Sequence, residues 1–174
     1  MNSVVFENKD FLVQFLYKLF EKPSRIKIQK TLYLLYAFYG ATYGNIKSSD
    51  DEENEFIGQN YPKYLFDAKF EAWRYGPVEK EVYANDKKGF YESRSLSDDE
   101  IDSFFNTVEL NNIKSFIENI VSQTKQIDDF SLVDRTHQDK AWQTVYKEGQ
   151  NHIPMDNNII IQEYIDEYVG SWDI

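Results

Sequence analysis

The sequence predicts a mainly α fold: a single compact helical domain with a short extended or β-hairpin element before a Gly-Pro helix start. Three observations carry that prediction. Apolar residues recur at spacings of three and four along most of the chain, which is the helical period. Capping residues stand ahead of several of these runs, among them Ser24, Ser97 and Asp156. Only one stretch, Ala68-Lys69-Phe70-Glu71-Ala72, alternates small or apolar with charged residues in the manner of a strand. The chain has 174 residues, 41% hydrophobic and 17% aromatic, enough for one core of ordinary size, so residues 1–174 read as one domain.

Taken in order, the first helix runs from about Asp10 to Phe20, where Phe11, Leu12, Phe15, Leu16, Leu19 and Phe20 line one face. Pro23 breaks it, and the Ser24 hydroxyl can cap a second helix from about Arg25 to Tyr43. Its core candidates are Ile28, Leu32, Leu35, Tyr36 and Tyr39, with Gly40 and Gly44 marking a fraying end. Residues 45–62, with an acidic run at 50–55, read as a mobile loop. The alternating stretch ends at Gly76-Pro77, and Pro77 suits the first turn of a helix over roughly Val78 to Ala84.

The remainder reads as helical. Ser97-Asp98-Asp99-Glu100 is a capping box ahead of Ile101, Phe104, Phe105 and Val108. Asn111 or Asn112 can cap a longer helix carrying Ile113, Phe116, Ile117, Ile120 and Val121. Short helices are expected around Ser131 to Thr136 and from about Asp139 to Tyr146. Asp156 then caps a last one with Ile159, Ile160, Tyr164, Ile165 and Tyr168.

The chemical inventory is sparse. Without cysteine there are no thiolate nucleophiles, disulfides or Cys-based metal sites. No glycine-rich phosphate loop occurs, and the two histidines, His137 and His152, match no metal-ligand spacing. No cofactor or metal is therefore expected. Ser131, Asp134 and His137 are the residue types of a nucleophilic triad at helical spacing, but such triads gather from separate elements beside an oxyanion site. The simpler expectation is an Asp134–His137 hydrogen-bonded pair, with Thr136 and Asp139 capping the following helix, and no enzymatic activity.

Charge is uneven. The net charge is −11, yet residues 1–49 hold seven basic and three acidic residues, and the rest hold twelve and twenty-seven. Either the fold presents two electrostatic ends, so that a basic partner docks on the later part, or the early charges pair with the acidic remainder. Lys22, Arg25, Lys27 and Lys30, with Gln29 among them, cluster at the start of the second helix and superficially suggest a helix-turn-helix. Positive charge there opposes the helix dipole, which predicts acidic partners for some of them, and the acidic background disfavours nucleic acid. The start of the chain lacks a signal-peptide pattern, and the apolar-rich stretch Thr31–Tyr43 falls short of the roughly 20 residues that span a bilayer. A cytoplasmic protein without a membrane partner is expected.

Three segments together resemble a known family. Lys27-Ile28-Gln29-Lys30-Thr31-Leu32-Tyr33 is similar to its N-terminal K-hydrophobic-x-K-x-L-Y helix. Phe70-Glu71-Ala72-Trp73-Arg74-Tyr75-Gly76-Pro77-Val78, followed by Val82-Tyr83, is similar to its central F-x-A-W-x-x-G-P-V…V-Y signature. Leu132-Val133-Asp134-Arg135-Thr136-His137, followed by Trp142, is similar to its C-terminal L-x-x-x-T-H…P-W box, with Ala141 in place of the usual proline. The family is the Panacea domain family of SocA-like, phage-associated antitoxins, and the resemblance spans roughly residues 10–168.

The resemblance implies a non-enzymatic antitoxin that binds and neutralises a cognate protein toxin, basic if charge complementarity guides it. As alternatives it implies an adaptor delivering a partner to a host AAA+ protease, or a prophage-encoded modulator of a host protein. The motif residues are Lys27, Lys30, Tyr33, Trp73, Tyr75, Gly76, Pro77, Val78, Tyr83, Thr136, His137 and Trp142. Bulky rings in such motifs more often hold a fold than touch a partner. Trp73, Tyr83, His137 and Trp142 are accordingly expected to join the central element to the C-terminal helices.

Overall fold

The second helix is the axis around which much of the rest assembles. In the computed structural model, which describes residues 3–46, 60–150 and 152–169, the elements are mainly α with small sheets. They are β1 (Val4–Phe6), α1 (Lys9–Phe20), α2 (Arg25–Ala41), β2 (Tyr64–Phe66), β3 (Phe70–Trp73), β4 (Gly76–Glu79) and α3 (Lys80–Lys87). Then come α4 (Asp98–Phe104), α5 (Val108–Lys125), α6 (Asp129–His137), α7 (Lys140–Gln143), β5 (Ile153–Pro154) and α8 (Asn157–Tyr164). A single 3-10 turn, Tyr43–Asn45, follows α2, and a π turn, Ile165–Val169, follows α8.

From Ile28 to Ala41 every residue of α2 except Phe38 is buried, so this helix is packed on nearly all sides. It meets β2, β4, α5, α6 and α8, and every core candidate named for it is at most 1% exposed. Ser24 caps it as expected, its Oγ accepting from the Lys27 N–H. Gly40 does not fray the end. A Cβ there would lie 2.5 Å from Ile161 Cγ1, so the missing side chain is what lets α8 lie against α2. The acidic run at 50–55 and most of the expected loop lie outside the described residues.

Strands supply what periodicity did not show. β1 pairs with β2 in parallel, Val4 opposite Tyr64 and Phe6 opposite Phe66, and β4-β3-β5 form a second sheet. Such short pairs leave too few residues for an alternating pattern to emerge. Pro77 corrects the expected helix start: Gly76–Glu79 is a strand, antiparallel to β3 with Trp73 opposite Gly76 and Phe70 opposite Glu79. The helix starts later, at Lys80, with the Glu79 carboxylate capping the N–H groups of Glu81 and Val82. Proline is acceptable because β4 is an edge strand, where no neighbour needs its N–H.

Capping decided the other boundaries. The Ser97–Glu100 box forms as expected, and Asp156 caps α8. For α5 the cap is Thr107, not Asn111 or Asn112, so the helix begins several residues earlier. α7 is a single turn, much shorter than the expected Asp139 to Tyr146, and Asp139 makes no side-chain cap. The Glu163 carboxylate reaches over from α8 to accept from the Lys140 and Ala141 N–H groups, each at 2.7 Å. Among the described residues, no helix is long and apolar enough to cross a membrane.

Candidate functional site

The three motif segments converge on the β3–β4 hairpin. Its free edge faces α2, and α2 closes it with side chains. Gln29 accepts from the Glu79 N–H at 2.8 Å and donates to the Glu79 carbonyl at 3.3 Å, standing in for a neighbouring strand. Lys30, only 2% exposed, donates to the Pro77 carbonyl at 2.9 Å. Among the described residues no carboxylate pairs with it, and burial pulls its pKa down to about 7. Gly76 sits beside it at φ +106°, where a Cβ would stand 2.5 Å from Thr136 Oγ1 and 3.3 Å from Lys30 Nζ. Glycine here is needed both for the backbone conformation and for the close approach of α6. Thr136 turns its hydroxyl back to the Val133 carbonyl at 2.9 Å and caps nothing.

Lys27 and Tyr33 tie α2 to two further elements. Lys27 donates to the Thr124 carbonyl at 2.8 Å and to the Ile127 carbonyl, so its charge sits at the C-terminal end of α5, where a helix favours a cation. Acidic partners are expected for some of the basic residues at this helix start; Lys27 and Lys30 meet carbonyls. Tyr33 donates to Asp139 Oδ2 at 2.8 Å, Tyr164 donates to the same oxygen at 2.6 Å, and Arg135 Nη1 donates to Oδ1 at 2.9 Å. Burial and then the neighbouring Tyr164 and Asp139 push Tyr33 well above the ordinary phenol value. Burial opposes the charge of Arg135, but Tyr164 and Asp139 outweigh it and raise its pKa. The Arg135–Asp139 pair is four residues apart and legible in the sequence, but the pairing of Gln29 with Glu79 and of Glu163 with the start of α7 joins distant segments that spacing could not connect.

On the outer side, rings frame the turn Arg74-Tyr75. Trp142 Nε1 donates to the Trp73 carbonyl at 2.8 Å, and His137 Nε2 lies 2.9 Å from the Arg74 carbonyl. His137, Trp142 and Tyr146 stack in a column with centroids 4.2 and 4.7 Å apart. Trp73 packs edge-on to Tyr83 at 4.8 Å and to His152 at 4.5 Å, and Val78, in β4 opposite Glu71, is buried. Trp73, His137 and Trp142 join hairpin and C-terminal helices as expected, whereas Tyr83 packs on Trp73 from α3. Tyr75, at 52% exposed, stands clear of them at the tip with the Arg74 guanidinium over its ring.

The Asp134–His137 pair does not form, because His137 turns to the hairpin instead. Nor does Ser131 meet His137: its hydroxyl donates to Asp128, the residue that caps α6. The early basic residues are largely engaged within the fold, Lys9 with Glu79 and Glu81 and Lys18 with Asp98. Of the two electrostatic readings, pairing with the acidic remainder describes these two, and carbonyls hold Lys27 and Lys30.

A family model described as Antitoxin SocA-like, Panacea domain, matches residues 28–143, well over half of the chain. Neither a curated protein nor a solved structure matches it.

Proposed function

The chain belongs to the SocA-like antitoxin family with the Panacea domain, and on that premise we propose that it is a non-enzymatic antitoxin neutralising a cognate protein toxin by direct contact. The observation that carries the contact site is the tip Arg74-Tyr75. Tyr75 is exposed while the turn that bears it is held by Trp142 and His137, and the following strand by Lys30 and Gln29. A rigid, exposed tyrosine next to an arginine suits an interface anchor, since little conformational freedom is lost on binding. The net charge of −11 favours a basic toxin by speeding encounter.

The test is co-expression with the product of the neighbouring gene. Growth arrest relieved by the wild type and not by Tyr75→Ala supports the reading, provided the variant keeps wild-type stability within about 0.5 kcal/mol, as expected for an exposed side chain. Arrest that the wild type fails to relieve overturns it. A toxin whose half-life falls in a protease-dependent way when this protein is present would indicate the adaptor mechanism instead of blocking.

A further inference from the structure

A second site lies at the junction of β1, β2 and α8. A pocket of about 470 Å³ is lined by Ser3, Tyr36, Tyr64, Asp67, Asp156 and Asn157, among others. Two of its lining residues carry a buried polar atom that has no hydrogen-bond partner among the described residues: the Tyr36 hydroxyl, on a residue 1% exposed, and Asn157 Oδ1. The orientation of Asn157 is fixed, because its amide nitrogen donates to the Ala68 carbonyl at 2.9 Å, leaving Oδ1 as a bare acceptor. Folded proteins rarely leave such groups unmatched, since each costs about 1–3 kcal/mol. Burial, then Tyr64 and the carboxylates of Asp67 and Asp156, raise the pKa of the Tyr36 hydroxyl, and among the described residues no basic one lines the pocket. Lys63, whose ammonium lies over the Tyr64 ring at 5.3 Å, is not part of the wall.

The wall therefore offers two carboxylates, an amide oxygen, a phenol oxygen and aromatic faces, with acceptors in excess of donors. Among the described residues, no cluster of three or more His, Cys, Asp or Glu could hold a metal ion. A planar guanidinium fits better than an ammonium: it carries five N–H donors to distribute over separated acceptors, stacks on rings and is less strongly hydrated. We propose that this pocket receives the guanidinium of an arginine side chain presented by the partner protein. The assignment of the arginine to a toxin rests on the antitoxin reading, whereas the affinity of the pocket for a guanidinium does not. The overall negative charge would draw such a side chain in.

Nitrogen-15-labelled protein is titrated with N-acetyl-arginine amide, following the Asn157 and Asn158 side-chain amides by NMR. Saturable shifts are expected, with N-acetyl-citrulline amide, uncharged but of the same shape, giving none. Asp67→Asn is expected to weaken binding at least about ten-fold. Asp156→Asn should do the same, because asparagine still caps α8 and the fold is preserved. Tyr36→Phe is expected to weaken binding while leaving the free protein as stable or more so, because it removes an unmatched hydroxyl. Absence of saturation, an equal response to citrulline, or indifference to Asp67→Asn overturns the site and indicates that the pocket holds only water. In the complex with the toxin, Asp67→Asn should lower affinity at least about ten-fold. If the arginine amide binds and toxin affinity does not change, the pocket stands but its assignment to the partner is overturned.

Discussion

Replacing Lys30 with methionine should change how stability responds to pH, and the size of that change follows from its burial. Lys30 is 2% exposed, has one carbonyl acceptor and, among the described residues, no carboxylate, and its pKa is pulled down to about 7 by desolvation. In the unfolded chain the same amine titrates near 10.4. The unfolded state thus binds the proton more tightly, so the wild type gains stability as pH rises between those values. Below about pH 7 the destabilisation is complete and constant, about 5 kcal/mol, and from pH 7 to 9.5 about 3 kcal/mol of it is relieved. Methionine fills similar volume without a titrating group, although it leaves the Pro77 carbonyl without its donor, a cost that does not vary with pH. Urea unfolding followed by tryptophan fluorescence, for wild type and Lys30→Met at intervals from pH 5.5 to 9.5, isolates the effect, because every other titration cancels in the difference. That difference should move in favour of the wild type by about 3 kcal/mol between pH 7 and 9.5 and be flat below pH 6. Parallel stability curves, or a difference moving the opposite way, would refute the idea that Lys30 is buried without a compensating charge.

Two further substitutions probe the same network. Gly76→Ala forces a side chain into φ +106° and against Thr136 Oγ1, so a loss of about 2 kcal/mol and a melting temperature lower by about 4–8 °C are expected; an unchanged melt would mean that α6 does not press on the hairpin. Tyr33→Phe removes one of three donors to Asp139 and should cost about 1–2 kcal/mol, whereas Asp139→Ala strands Arg135 and both hydroxyls and should cost about 3–5 kcal/mol. Equal costs in chemical denaturation would show that Asp139 is not the shared acceptor.

Local signals located elements but misjudged their ends. Pro77 has the fixed φ of a helix start, and the same φ is tolerated in an edge strand, so only the pairing of Trp73 with Gly76 decides between them. Gly40 looks like a helix terminus until Ile161 is found against it. Asp139 looks like a cap because short acids usually cap, yet three donors from α2, α6 and α8 hold its carboxylate and Glu163 does the capping. His137 and Asp134 are three apart and look like a pair, while the hairpin carbonyl that His137 meets is 63 residues away.

By itself the sequence determined the mainly α class, most helix positions, the core candidates of α2 and, through three motifs, the family. Those features rest on short-range spacing and on residue types, which the linear chain displays directly. The tertiary structure alone decided what the motif residues do. Lys27 and Lys30 read as part of a basic helix start and Tyr33 as a motif ring, and the fold turns each onto a carbonyl or carboxylate that is 47 to 106 residues away. The pocket beside Tyr36 is likewise assembled from β1, β2 and α8, and no local pattern brings those segments together. A buried polar group must find a partner wherever the packing places one, and packing is a property of the whole chain.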